Sequence, residues 1–250
     1  MPHLLSVVLI TRDAEAQLPT CLESVRFADE IVVVDSGSRD RTTAIAAHHG
    51  ARVISQPWLG FGPQKHLAVT CASHDWVLCL DADESLTPAL AAAIQHELHA
   101  PRFHAYRFAR CNRFLGRWLR HGEGYPDHQL RLFHRHHAQW RTDPVHEGVE
   151  TTAPVGTLPG DILHESAPSL ANYLDKQNRY TTLQAQILLT QGKKASLLRL
   201  VFSPVFRFIK FYIVRLGFLD GWPGLVHIAI GCFNSFIKYA KVMEHRHNSS

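Results

Sequence analysis

The sequence predicts an α/β fold with a mostly parallel sheet, and three observations carry that expectation. Short apolar runs at Leu5–Ile10, Ile31–Val34, Val53-Ile54 and Trp76–Leu80 read as strands buried on both faces. Between them, Ala14–Val25, Arg41–His49, Gln64–Cys71 and Pro88–Leu98 read as helices, the first with Leu18, Leu22 and Val25 at three- and four-residue spacing. Strands alternating with helices imply right-handed crossovers and parallel neighbours. The third observation is chemical. The second run ends in Asp35 and the fourth in Asp81-Ala-Asp83, so carboxylates fall at strand carboxyl ends, where ligands of such sheets bind.

Each element has a local reason to start or stop. Ser36-Gly37-Ser38 supplies the turn after the second strand, and Gly50 ends the helix that follows. Past residue 101 the character changes: Phe103–Phe108 and Gln129–Phe133 read as strands among turns rich in Gly, Pro, Arg and His, a partly antiparallel section facing substrate. Ser169–Gln191 reads as a helix with Leu170, Tyr173, Leu174, Leu183, Ile187 and Leu188 on its apolar side and Gly192 as its stop. Leu197–Phe218 carries Arg199, Arg207 and Lys210 on a narrow arc, with Ser203 between them. That basic stripe beside a broad apolar face fits an interfacial helix, the alternative being a helix packed on the chain's own core. A spanning helix needs about 20 apolar residues with few charges. The expected organisation is a catalytic domain over 1–165 and a basic, amphipathic helical extension over 166–250.

Composition narrows the function classes. At 250 residues, 46% hydrophobic and 19% charged, the chain is globular and not disordered. Five scattered cysteines without a Cys-x-x-Cys pair indicate neither a zinc ribbon nor a disulfide framework, and fit a reducing compartment. The first residues lack the features of a signal peptide, so a cytoplasmic location is expected. Residues 192–250 hold nine Lys and Arg against two Asp and Glu (+7), and the remainder holds 17 against 20 (−3). A basic tail on a slightly acidic body suggests a surface for anionic lipid or another polyanion; the partners expected are a membrane surface and no nucleic acid. Eighteen histidines add positive charge below about pH 6.5.

Asp81 and Asp83 at the end of a buried strand suggest a hard divalent cation, Mg²⁺ or Mn²⁺, which prefers oxygen ligands and is commonly completed by substrate phosphates. Asp35 stands where a ribose or base could be held, and the turn from Ser36 leads to a helix start suited to phosphate. An ordinary capped turn explains Asp35 alone, and an isolated Asp-x-Asp is common; the two on successive strands make the stronger signal.

Several strings together resemble family 2 glycosyltransferases: Ser6-Val-Val-Leu-Ile-Thr11-Arg-Asp13, Val33-Val34-Asp35-Ser36-Gly37-Ser38 with Asp40 and Thr42, Lys65, and Asp81-Ala-Asp83. Gly60–Lys65, Tyr125–Phe133, Val145-His146-Glu147 and Gly217–Gly221 look closest to the lipopolysaccharide-core glucosyltransferases of the WaaE/KdtX type. The resemblance, over roughly residues 4–150, implies a Rossmann-like, A-type nucleotide-sugar transferase fold followed by a membrane-associating helical segment. By that likeness Thr11, Asp13, Asp35, Ser36, Lys65 and Asp81 line the nucleotide-sugar pocket. Asp83 would be the direct metal ligand, with Asp81 near it. Relatives often carry Asn-Glu where this chain has Asp13-Ala14-Glu15, and Glu-Asp where it has Pro126-Asp127.

Inverting transfer needs one carboxylate base to deprotonate the acceptor hydroxyl. Asp127 is the candidate, with Glu123 and Glu147 as alternatives. Arg131 could hold a diphosphate or a phosphorylated acceptor, since arginine binds phosphate bidentately. His146 and Glu147 could belong to the acceptor site, and His164 could lie near diphosphate and metal. His134-Arg-His136-His137 reads as a solvated turn. The expected reaction is inverting transfer of a hexose, glucose in the specific reading, from a UDP-sugar to the inner-core heptose of lipopolysaccharide, at the cytoplasmic face of the inner membrane. The alternative acceptors are a polyprenyl phosphate or another cell-envelope glycan. Rival classes are a nucleotidyltransferase, whose usual Gly-rich loop is missing at Thr11-Arg12-Asp13-Ala14, and a membrane-surface binding module with a degenerate site.

Overall fold

The computed structural model describes residues 2–141, 148–165, 169–193 and 195–247. It divides into two compact units, Met1–Arg110 with Asp127–His164, and Cys111–Pro126 with Glu165–Ser250. A single boundary near residue 165 therefore does not describe the chain: Cys111–Pro126 belongs with the C-terminal helices, because its polar groups bond to residues 207–220.

The first unit opens with β1 (Leu5–Thr11), α1 (Leu18–Ser24), β2 (Glu30–Asp35), α2 (Thr42–His48), β3 (Arg52–Ser55), α3 (Phe61–Thr70) and β4 (Trp76–Asp81). Then come β5 (Glu84–Leu86), α4 (Pro88–Glu97), β6 (Ala105–Phe114), β7 (Arg117–Trp118), β8 (Asp127–His134), β9 (Ala138–Trp140), β10 (Val149–Thr151) and β11 (Val155–His164). The main sheet runs β3-β2-β1-β4-β8-β6-β11-β5, with β7 paired to β6, and β9 pairs with β10 separately. The expected parallel pairing holds over β3-β2-β1-β4. Beyond β4 the sheet turns antiparallel, at β4–β8, β6–β8 and β5–β11. The sheet is therefore mixed, because β8 runs opposite to both of its neighbours, β4 and β6.

β1 and β4 are buried on both faces, which is why they read as unbroken apolar runs. Alternate residues feed opposite sides. Val7, Leu9, Leu78 and Leu80 pack with Leu18 and Leu22 of α1 and with Leu90 and Ile94 of α4, while Val8, Val77 and Cys79 pack with Ala68 and Val69 of α3. A fully buried leucine contributes about 1.5–3 kcal/mol, so these runs fix the register of the central strands. Register then sets the site: Thr11 lies opposite Asp35, Ile10 opposite Asp81, and the three strands end along one edge.

The second unit contains α5 (Leu170–Thr190), α6 (Leu197–Phe208), a π-helical turn at Ile209–Val214, a 3-10 turn at Gly217–Asp220, and α7 (Gly221–His247). Ser169 and Ser196 cap α5 and α6 by accepting from the backbone N–H of Asn172 and Arg199. The regular helix expected over 197–218 stops at Phe208, and Leu216 adopts a left-handed conformation (φ 55°). The stripe proposed as its outer polar face points inward in part: Ser203 hydrogen-bonds Ser235 (2.6 Å) and Arg207 pairs with Glu123. What α6 exposes is apolar, with Leu197, Leu198, Val201, Phe202, Val205 and Phe206 each 48–69% accessible. None of the described helices is long and apolar enough to cross a membrane.

Candidate active site

Two loops at the ends of β1 and β2 are stitched together by side chain–backbone bonds. Asp13 accepts from the Arg39 N–H (2.8 Å), and its own N–H donates to Ser38 Oγ (2.9 Å). Asp13 takes φ 49°, a left-handed conformation that aspartate tolerates better than most residues. The Glu15 N–H donates to Asp40, the Arg41 N–H to Glu15, and the Ala14 N–H to Thr42 Oγ1. Asp35, buried at the end of β2, organises this turn. One of its oxygens accepts from the Gly37 and Ser38 N–H groups (both 2.9 Å), and the other from Thr11 Oγ1 (3.0 Å) and Ser38 Oγ. A carboxylate offers about four acceptor positions, so a ligand contacting Asp35 must exchange with one of these bonds. Ser36 Oγ accepts from buried Gln64 (3.1 Å), which also accepts from the Leu59 N–H.

Behind this edge lies a chain of buried charges. Lys65 Nζ sits 2.7 Å from Asp81 Oδ1, and Arg131 Nη2 sits 2.9 Å from Asp81 Oδ2 and 3.1 Å from Glu84 Oε1. Arg110 reaches Glu84 at 3.4 Å and Asp127 Oδ2 at 2.7 Å. Gln129 donates to the other Asp127 oxygen at 2.8 Å. Trp140 floors the cluster, its ring 4.8 Å from the Lys65 ammonium and 5.5 Å from the Arg131 guanidinium. Burial alone would raise the Asp81 carboxyl. The charges of Arg131 and Lys65 outweigh it and hold Asp81 well below the usual carboxylate range. Burial works against the Arg131 cation, but Glu84 and Asp81 keep it firmly protonated. The field here also reaches Cys21: burial, then Glu84, Asp83 and Asp81, push its thiol well up.

Asp83 is different. Its side chain is 40% exposed, and the Nε2 of His164 lies 3.3 Å from its Oδ2. β5 causes that meeting, because Glu84 pairs with His164 across the β5–β11 register. Counting Asp81, Asp83, Glu84 and Asp127 against Lys65, Arg110 and Arg131 leaves one negative charge, and Asp83 is the carboxylate without Lys or Arg beside it. Adjacent ligands of a small octahedral cation at 2.0–2.1 Å stand about 3 Å apart, so this oxygen and nitrogen fit such an ion. Both Asp81 oxygens are engaged by cations, so a metal or nucleotide at Asp81 would share that carboxylate with Lys65 and Arg131. Among the described residues no group of three or more His, Cys, Asp or Glu side chains is placed to hold a metal ion. A cation on Asp83 and His164 would have positions open to water and a diphosphate.

The structure thus brings Thr11, Asp13, Asp35 and Ser36 into one loop cluster, and Lys65, Asp81, Arg131 and Asp127 into one charge chain. His146 and Glu147 lie outside the described residues. Glu123 is engaged with Arg207 in the second unit. His134 and His137 pack with His104, whose ring stacks on His137 at 3.8 Å, so this turn is an aromatic cluster rather than a merely solvated one. Sequence reasoning missed Glu84, Arg110, Gln64 and Trp140. Glu84 directly follows Asp83, yet its importance depends on arginines 26 and 47 positions away.

The chain is similar to known proteins along most of its length. Residues 6–155 match the model for glycosyl transferase family 2. A glycosyltransferase of Rickettsia typhi without assigned function is 32% identical over 96% of this chain and 87% of its own length. The lipopolysaccharide core biosynthesis glycosyltransferase LpsC of Rhizobium meliloti is 30% identical over 96% of this chain and 92% of its own. Among solved structures, glucosyl-3-phosphoglycerate synthase from Mycobacterium tuberculosis, in complex with Mn²⁺ and UDP-glucose, is 26% identical over 44% of each chain, with a TM-score of 0.37. The chain belongs to glycosyl transferase family 2, and residues 6–155 carry a glycosyltransferase domain. That assignment removes the nucleotidyltransferase and the non-enzymatic binding module.

Proposed function

We propose that the chain transfers a hexose from a UDP-sugar to a cell-envelope acceptor, by single displacement with inversion and with a divalent cation bound. The observation that carries this reading is the Asp83–His164 pair beside an Asp81 already neutralised by Lys65 and Arg131. Asp83 and His164 would hold Mg²⁺ or Mn²⁺, which when bound neutralises charge developing on the leaving diphosphate. Thr11, Asp13, Asp35, Ser36 and Lys65 build and brace the nucleotide cradle. Asp127 takes the proton of the acceptor hydroxyl as that oxygen bonds to C1 of the sugar, while the C1–O bond to the diphosphate breaks and UDP leaves. Arg110 and Gln129 fix the Asp127 carboxylate for that step. Arg131 acts by holding Asp81 and Glu84 in place.

A broad acceptor class, a polyprenyl phosphate or another envelope glycan, has more support than any single sugar. The narrower proposal is the inner-core heptose of lipopolysaccharide with glucose as the hexose, the WaaE/KdtX-type reaction. It is supported by likeness to LpsC along nearly the whole chain. The apolar outer face of α6, with Lys210 and Arg215 exposed nearby, supports peripheral binding on the cytoplasmic face of the inner membrane.

The test is a donor screen reading UDP release, with truncated-core lipopolysaccharide and polyprenyl phosphate as acceptors. UDP-glucose with the truncated core should give metal-dependent release, and Asp83→Ala should lower it by about 10²-fold or more. Full activity in Asp83→Ala removes the metal site. Turnover with polyprenyl phosphate alone replaces the heptose acceptor.

A further inference from the structure

Cys111–Pro126 leaves the sheet between Arg110 and Asp127, which form the last register pair of β6 and β8. This strap is bound within the second unit. The backbone N–H groups of Arg120 (3.1 Å) and His121 (2.9 Å) donate to Asp220, and His121 Nδ1 lies 3.0 Å from the same carboxylate. Asp220 is 2% exposed, and its oxygens serve the strap. The Gly122 N–H donates to the Arg215 carbonyl (2.9 Å), Glu123 pairs with Arg207, and Arg215 donates to the Tyr125 carbonyl (3.2 Å). Gly122 has φ 68°, and a Cβ there would stand 3.1 Å from the Gly217 Cα; a Cβ on Gly231 of α7 would meet Glu123 at 2.4 Å. The strap thus lies against residues 207–220 with no room for added side chains at these points.

We propose that Asp220 and Arg207 are positioning residues for transfer: by fixing the strap they set where β8 begins, and so where Asp127 meets the acceptor hydroxyl. The link is the peptide chain itself, since Pro126 ends the strap and Asp127 is the next residue. The proposal rests on Asp127 as the base. It differs from a general stability role because the nucleotide cradle belongs to the other unit, so donor binding should survive.

The test uses the full chain with Asp220→Asn and Arg207→Lys, measuring kcat, KM, donor affinity by calorimetry, and hydrogen exchange across residues 120–130. A misplacement of the order of 1 Å can cost about 10²-fold in rate, so kcat should fall at least about tenfold with donor affinity within about twofold. Amide exchange at Asp127–Leu130 should rise at least about fivefold. If both folded variants keep kcat within about twofold of the parent, or lose it in step with donor affinity, the positioning role is overturned. Should Asp220→Asn fail to fold, Arg207→Lys decides by the same criteria. Retained activity in Asp127→Asn overturns the base instead. Exchange at Asp127–Leu130 then still judges the strap, and unchanged exchange in Asp220→Asn overturns it.

Discussion

In β4, Trp76–Leu80 are five consecutive buried residues, and the carboxylate that follows them is gripped by two cations. In α6, twelve residues run without one buried, and its polar side chains Ser203 and Arg207 find partners while Leu197, Leu198, Phe202 and Phe206 face outward. The first unit satisfies the usual rule, with apolar groups inside and buried charges matched. The second reverses it along one helix. The contrast teaches that burial along β4 is complete within the chain, whereas α6 keeps apolar surface that a soluble fold gains nothing by displaying.

The sharpest way to break this comparison is to unbalance the buried charges. Among the described residues, Arg131→Met leaves Glu84 with the longer Arg110 contact as its cation, beside the Asp81 N–H it already accepts from, and Asp81 with Lys65 as its cation. Removing one partner of a buried pair costs about 3–5 kcal/mol, so the denaturant midpoint should fall markedly; an unchanged midpoint would show that the cluster contributes no stability.

A smaller effect should appear on acidification of the second unit. Burial, assisted by Arg207 and opposed by Asp220, pushes His227 down from 6.5 to about 4. The unfolded chain takes up this proton first, so stability is full above about pH 6.5 and is lost as pH falls towards 4, by up to about 3 kcal/mol. Thermal unfolding at pH 7 and pH 4.5 should show a smaller acid loss in His227→Gln than in the parent. Equal losses would place the acid sensitivity elsewhere. His134 is also lowered, chiefly by burial, and adds in the same direction.

The mildest test targets the outer face of α6. Phe206→Asp should leave the unfolding midpoint within about 0.5 kcal/mol of the parent, because the ring is 68% exposed. It should weaken sedimentation with anionic phospholipid vesicles by about tenfold or more, the worth of one buried phenylalanine. Unaltered sedimentation would remove α6 from the membrane contact.

Much of the first unit was legible because double-sided burial writes itself as unbroken apolar runs, as in Val32-Val33-Val34 and Val77-Leu78-Cys79-Leu80. β11 was not: it contains Gly156, Pro159 and Gly160, and a Cβ at Gly160 would collide with the Leu90 backbone. β5 has only three residues, two of them polar. α7 opens with Gly221-Trp-Pro-Gly, which reads as a turn although proline is favoured at a helix start. In the site, Asp35, Asp81 and Asp83 were visible from their strand ends. Glu84 and Arg110 were hidden because a charge chain is a property of strand pairing. The register that brings Arg110 to Asp127 and His164 to Glu84 is not written in any local window.

That register gives the strap an arithmetic of its own. Asp127 and Gln129 are two residues apart on β8 and share one side, where they bond to each other and Asp127 accepts from Arg110; a register shift opposite Tyr106–Arg107 makes Arg131 the extra residue of the strand. If the strap lost or gained one residue and β8 slipped to compensate, the side that carries Asp127 and Gln129 would turn away. A change of two would return the same side to the charge chain. The length of Cys111–Pro126 is therefore constrained in parity as well as in size, and odd insertions there turn the site's carboxylate to the other side of the strand.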